Sequence, residues 1–285
     1  MTNPSAIYVL PERGVVAVSG DDAMSWLDNL VSNDISDIAT KQLVFAALLS
    51  PQGKVLFEFF VHRGDAGVLL ETASDAVVAL LKRLGMYKLR AKVELRDVSA
   101  DWAIVWSMAS VPLLLPDPRA PTQLWRGLRP RAESATSQTA GPYLAERVHL
   151  GIGEAPQDYV LGNVFPHEAN FDLMDGVSFT KGCYVGQEVV SRMQNKSVVR
   201  KRVARIFAGE PLTSGADVTA GGGAVIGKVG SVAGTDALAM LRLDRVAEAH
   251  DTGQALRAGA TPITVDSAAL DRYRHTAANR PASDL

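Results

Sequence analysis

One stretch of this sequence concentrates groups that could do chemistry: Lys181-Gly182-Cys183-Tyr184-Val185-Gly186-Gln187-Glu188. It holds the single cysteine of the chain, between two glycines, with a lysine, a tyrosine, a glutamine and a glutamate close by. A thiolate is both the nucleophile and the metal-binding form of cysteine; Lys181 favours it and Glu188 opposes it. A protease-type nucleophile needs a histidine partner, and His62, His149, His167, His250 and His275 form no motif with Cys183. A lone thiolate can instead be one ligand of a cluster shared with a partner chain or with small thiols. The competing reading, a cysteine that merely fills apolar space, fits poorly with so polar a neighbourhood.

Composition limits what surrounds the loop. The 285 residues are 47% hydrophobic, enough for a large core. Lys and Arg number 29 against 31 Asp and Glu, so no global field recruits nucleic acid or an anionic membrane. No apolar run reaches the roughly 18 residues of a membrane span, and the amino terminus lacks the pattern of a secretory signal. The expected compartment is the cytoplasm. One cysteine excludes an internal disulfide and a four-cysteine metal site; no resident metal is expected, and Cys183 is at most a transient cluster ligand.

Several elements must position the loop. Gly14 to Gly20 reads as a strand, and Asp21 and Asp22 can cap a helix whose apolar face is Ala23, Trp26, Leu27, Leu30 and Val31. Gln42–Leu49 and Lys54–His62 read as a hairpin closed by Ser50-Pro51-Gln52-Gly53. Val55, Phe57, Phe59 and Val61 take one face of its second strand, and Lys54, Glu58 and His62 the other. A strand Gly67–Glu71, a helix through Val77, Leu80, Leu81 and Leu84, and an alternating strand 88–96 complete an α+β layer on a mainly antiparallel sheet. The basic side of 88–96 reads as a solvated face.

After the strand Trp102–Met108 comes a proline- and arginine-rich stretch, 112–142, expected to be an irregular excursion with one short strand near Leu124-Trp125. Tyr143–Leu150 reads as a short helix. Ser191–Arg205 carries Arg192, Lys196, Arg200, Lys201, Arg202 and Arg205 without an acid. Such a patch suits a phosphate or polyglutamate tail, but no aromatic residues are interleaved, so direct binding of nucleic acid is not expected. The last eighty residues are β-rich with glycine turns and suggest a small barrel. Gly222–Lys228 has the spacing of a phosphate-binding loop, yet Val229 replaces the Ser or Thr and no amphipathic helix follows, so a strand is expected there.

The octapeptide, with Phe165-Pro-His-Glu-Ala-Asn170 upstream and Arg192 and Arg200-Lys-Arg202 downstream, resembles the YgfZ family of folate-binding proteins. These are relatives of the glycine-cleavage aminomethyltransferase, and the mitochondrial iron–sulfur assembly factors share the cysteine loop. Leu27-Asp-Asn-Leu-Val-Ser-Asn-Asp34 and Leu48-Leu-Ser-Pro-Gln-Gly-Lys54 extend the resemblance to the amino-terminal part.

The resemblance implies a three-subdomain cloverleaf of the aminomethyltransferase type around a tetrahydrofolate pocket, divided here as 1–110, 111–200 and a barrel at 201–285. It implies a folate-binding accessory factor in assembly or repair of iron–sulfur clusters, including those of tRNA-modifying enzymes, with folate and iron–sulfur client or assembly proteins as partners and no membrane. Cys183 is then the functional thiol, with Lys181 beside it. Glu168 matches the family glutamate that accepts paired hydrogen bonds from the pterin. Arg147 matches a family arginine before Gly151-Ile-Gly-Glu-Ala-Pro156, with a structural ion pair as the alternative reading, and Tyr184, Gln187, Glu188 and Arg192 complete the expected folate rim. The alternative is folate-dependent aminomethyl transfer. The transferase carries an Asp-Asp pair where this chain has Phe57-Glu58, and a carboxylate one methylene longer is misplaced for positioned catalysis.

Overall fold

The computed structural model describes residues 6–134, 138–139, 142–196 and 198–278. In chain order come β1 (Tyr8–Val9), β2 (Arg13–Ser19), α1 (Ala23–Asp28), α2 (Ile38–Lys41), β3 (Leu43–Leu49), β4 (Val55–Gly64), β5 (Gly67–Ala73), α3 (Val77–Lys88), β6 (Glu94–Asp97), β7 (Trp102–Ser107), β8 (Leu115–Pro116), β9 (Trp125–Pro130) and β10 (Gln138–Thr139). There follow α4 (Tyr143–His149), α5 (Gln187–Lys196), β11 (Lys201–Ala208), β12 (Asp217–Ala220), β13 (Ala224–Ala233), β14 (Asp236–Arg242), α6 (Leu243–Asp251), β15 (Leu256–Ala258), β16 (Thr261–Val265) and α7 (Ser267–Ala278). Contacts divide the chain into two compact units, Met1–Gly141 with Phe171–Gln187, and Pro142–Asn170 with Glu188–Leu285. The units are thus interleaved in sequence, where the sequence reading placed cuts at 110 and 200.

The first unit holds two five-stranded sheets, ordered β3-β4-β5-β2-β6 and β10-β1-β7-β9-β8. The predicted hairpin forms the edge of the first, with Leu43 opposite His62 and Leu49 opposite Val55. Gly53 adopts φ +76° to close its turn, a conformation glycine enters without a Cβ clash. One face of β4, with Phe59 and Val61, packs in a core with Leu27, Val77, Leu80 and Leu84. The apolar stripe expected of α1 is present, although the helix stops at Asp28. Asp22 caps nothing with its side chain; its Oδ2 accepts from the Lys92 backbone N–H at 2.7 Å.

Three expectations for this unit are sharpened or corrected. The polar face of β4, assigned by alternation alone, is an interior one: Glu58 and His62 are 8% and 4% exposed. His62 belongs to a buried charged layer centred on Glu71 of β5. Its carboxylate accepts from Arg13 Nε at 3.0 Å and from Arg126 Nη1, and meets His62 Nε2 at 2.9 Å. Asp117 joins Arg126 to Arg119, and both guanidiniums lie over the Phe60 ring. Burial pushes the Glu71 carboxyl up, but Arg126, Arg13 and His62 more than offset this and hold it far below the usual range.

The same contacts correct the second expectation. The short strand expected near Leu124-Trp125 is present as β9, but residues 115–130 also contribute β8 and are not a loose excursion, and Arg126 is 1% exposed. Third, 88–96 is not one alternating strand. The α3 helix runs to Lys88, Leu89 sits 90% exposed at φ +42°, and only Glu94–Asp97 pairs with β2. Period-2 alternation here coincided with a helix end and a turn.

The second unit contains the expected barrel, closed in the order β11-β14-β13-β12-β15-β16. Ala204, Ile206, Val229, Ala239 and Leu241 fill it, and Leu243, Val246 and Leu270 of α6 and α7, two helices absent from the sequence reading, pack on the same core. β13 runs through the phosphate-loop lookalike from Ala224 onward, as expected. Among the described residues no helix is long and apolar enough to cross a membrane.

Candidate functional site

Cys183 is exposed, and it sits in a loop whose anchors are buried. The Lys181 ammonium, its side chain 2% exposed, reaches Asp28 O at 2.6 Å, Asp28 Oδ1 at 2.8 Å, Asn33 O at 2.8 Å and Val31 O at 3.3 Å. Burial lowers its pKa, and Asp28 pulls the other way. Four oxygens around one buried ammonium make Lys181 the brace of the loop. Its charge is directed at the turn after α1, which gives Lys181 a positioning role.

Further bonds fix the approach to the loop. Ser178 N–H donates to Ser32 O at 3.0 Å. Ser32 Oγ donates to Gly176 O at 2.7 Å, and Asn33 Nδ2 donates to both Phe45 O and Asp175 O. On the far side, Gly186 has φ +83°, and a Cβ there would lie 2.6 Å from Ser50 O. Three separate sequence segments, 27–34, 48–54 and 181–188, therefore converge. The bracing residues Asp28, Ser32 and Asn33 were not singled out from the sequence. The signal was their place inside Leu27–Asp34, a segment noted only for its resemblance.

Tyr184 is 7% exposed, and its ring lies 5.6 Å from the Lys181 ammonium. Its hydroxyl is buried and has no hydrogen-bond partner among the described residues; burial pushes its pKa up to about 12. Tyr184 thus anchors the loop from within, a correction to its expected place on an open rim. Gln187 is half-buried, and its backbone N–H closes the turn onto Tyr184 O at 3.2 Å.

The remaining expected residues lie in the second unit. Glu168 is half-buried, and its Oε2 accepts from the Phe165 N–H at 2.9 Å, so one carboxylate oxygen is tied to its own turn. That turn is stitched to β11: Val203 N–H donates to Glu168 O at 2.9 Å, and Asn170 Nδ2 donates to Val203 O at 2.9 Å. Arg202 Nη1 donates to His167 O. Glu188 and Arg192 are exposed on α5 and line, with Ser191 and Asn195, an open cleft of about 610 Å³.

Arg147 does not reach such a surface. Its guanidinium is bonded to Asp158 Oδ2 at 2.6 Å, to Ile152 O at 3.0 Å and to Ser231 Oγ, and the residue is 5% exposed. Burial lowers its pKa, but Glu154 and Asp158 outweigh this and raise it. Of the two readings of Arg147, the structure shows the buried ion pair, which ties α4 to the barrel.

Comparison with known proteins now bears on this arrangement. Residues 200–270 match the family described as the CAF17 C-terminal beta-barrel domain. The chain is 36% identical over 232 residues to the mitochondrial iron–sulfur cluster assembly factor IBA57 homolog of Mycosarcoma maydis, covering 71% of this chain and 58% of that one. It is 30% identical over 287 residues to human mitochondrial IBA57, covering 85% and 78%. The chain spans little more than half the length of the fungal relatives. Aminomethyltransferase T of the glycine cleavage system from Bartonella henselae superposes with a TM-score of 0.68, covering 91% of this chain and 84% of that one at 14% identity, which establishes the expected fold.

These matches correct the cytoplasmic expectation, since the relatives are mitochondrial by name. A single cysteine and a lack of secretory features do not separate the two compartments. Of the families in the resemblance, the matches carry the name of the mitochondrial iron–sulfur assembly factors. By its identity to human IBA57 over most of both chains, this chain belongs to the IBA57 family of iron–sulfur cluster assembly factors.

Proposed function

We propose that the protein assists assembly of iron–sulfur clusters and that Cys183 is the atom through which it acts. The observation that carries this reading is an exposed thiol on a loop held by a buried four-oxygen brace. Such a loop keeps the sulfur reachable while removing the freedom that would blunt its placement. Among the described residues no three His, Cys, Asp or Glu side chains are grouped to hold a metal ion. The cluster is therefore cargo: Cys183 offers one thiolate ligand, and the others come from the assembly or client protein. The compartment to which the relatives point is the mitochondrion. Clients in this reading include cluster-bearing tRNA-modifying enzymes.

Tetrahydrofolate is the proposed small-molecule partner, supported by a fold shared with an aminomethyltransferase. The residues present fit it in part. Glu168 Oε1 is open to accept from a pterin while Oε2 holds the turn, and Arg192 beside Glu188 gives the α5 cleft a cation for the glutamate end. Arg147 is committed to Asp158 and Ser231, and the Tyr184 hydroxyl is buried. Bound folate would supply one-carbon chemistry. The alternative, aminomethyl transfer, is disfavoured by the position of Glu58, which shares the buried face of β4 with Phe60 and His62.

The test is Cys183→Ser in the full chain, introduced into cells depleted of the wild-type protein. A cluster-dependent enzyme should stay inactive while the variant accumulates normally; full recovery would remove the thiol from the function. For the pocket, Glu168→Ala should weaken tetrahydrofolate binding about tenfold by calorimetry, and unchanged affinity would remove Glu168.

A further inference from the structure

The lysine that ends the phosphate-loop lookalike, Lys228, and Lys201 of the basic run have no part in the site above. The fold brings them together. β14 lies between β11 and β13, with Lys201 opposite Arg242 and Lys228 opposite Met240. Ala204, Val229 and Leu241 point into the barrel, so alternation places Lys201, Lys228 and Met240 on its outer surface. Residues 156–164 pass over that surface and leave a cavity of about 320 Å³, lined also by Asn163, Val164 and Ser214. Two strand spacings across and a two-residue offset along the strands put the two lysine backbones roughly 12 Å apart, within reach of a common group for two four-carbon stems.

The charge in this cavity is not balanced. Its one acid, Asp158, is closed off by Arg147 at 2.6 Å, by the Glu154 N–H and by Ser231. Lys228 has only Asp217, at 3.8 Å with both side chains more than half exposed, a pair of little strength. Among the described residues Lys201 has no ion pair. Two cations, polar groups on Asn163 and Ser214, and an apolar floor from Val164 and Met240 match a ligand with an anionic end and a short apolar body.

We propose that this cavity is a binding site for a small organic anion, carrying either a phosphate or paired carboxylates, separate from the Cys183 loop. Amide chemical shifts of the full chain, titrated with inorganic pyrophosphate and in parallel with citrate, test it. At least one probe should bind in the millimolar range or tighter and shift Gly215 and Gly230. Lys201→Gln and Lys228→Gln should each weaken binding about tenfold, as loss of a charge-assisted hydrogen bond does, and the double variant should abolish it. Tighter pyrophosphate binding assigns a phosphate ligand and tighter citrate binding a carboxylate one. Failure of both probes to bind, shifts confined to Arg192 and Arg200, or unchanged binding by the double variant would overturn the proposal. None of these results touches the Cys183→Ser test, which reads cluster-dependent activity.

Discussion

The first unit gathers charge in two places, the layer around Glu71 and the loop around Cys183, and they are built to opposite ends. At Glu71 the carboxylate meets Arg13, Arg126 and His62, all buried, and is itself 0% exposed. At Cys183 the cation is sealed inside while the thiol stands in solvent. Both use long-range partners: Arg126 and Glu71 are 55 positions apart, Lys181 and Asp28 153. The difference lies in what remains outside after the charges are met. A closed layer fixes two sheets against each other; a braced loop with one open group presents that group to something else.

Substitutions can break this contrast, and the largest effect is expected at Glu71. Glu71→Gln would leave Arg13 buried without its counter-charge and Arg126 with Asp117 but without the Glu71 charge, at a cost of about 3–5 kcal/mol and about 10 °C in Tm. Acid unfolding sharpens the point. Because the folded carboxyl titrates below its ordinary value of 4.5, its stabilisation is complete above that pH and declines as pH falls below it. The variant should show a flatter stability curve below pH 4.5, and an unchanged curve would mean that other carboxyls dominate.

Lys181→Met comes next. It strips four oxygens of their donor and should cost about 2–3 kcal/mol in urea unfolding. Alkylation of Cys183 should also change in rate, since the loop loses its brace. A stability loss with no change in thiol reactivity would show that the thiol is placed by Tyr184 and Gly186 alone. Gly186→Ala should cost about 1–3 kcal/mol from backbone strain and contact with Ser50 O. The smallest expected effect is at the thiol itself: Cys183→Ser should change stability by no more than about 0.5 kcal/mol. A large loss there would turn the cysteine back into a packing residue.

The sequence made some of this visible. The β3–β4 hairpin could be read because its turn residues and alternation are local, and the barrel because its glycine turns are. The Cys183 loop could be read because unusual residue types crowd together. The charged layer could not. Glu58, His62 and Glu71 have the spacing of a solvated strand face, and only Arg126 and Asp117, far along a proline-rich stretch, convert that face into an interior. For Arg147 the sequence left a ligand contact and an ion pair open, and its partner Ser231, 84 positions away, could not be read. Charged residues show their type in a sequence but not their partners, and partners decide between a site and a scaffold.

The brace has a consequence in time. Residues 171–187 are the last segment of the first unit to be made, and the Lys181 ammonium docks onto a turn synthesised about 150 residues earlier. At about 5–20 residues per second, some ten to thirty seconds pass between the two events. During that interval the carbonyls of Asp28, Val31 and Asn33 wait without their cation, and Cys183 has no fixed position. Fixed placement of the thiol therefore follows completion of the first unit: a nascent chain holds Cys183 in position only after the turn that follows α1 has closed around the lysine.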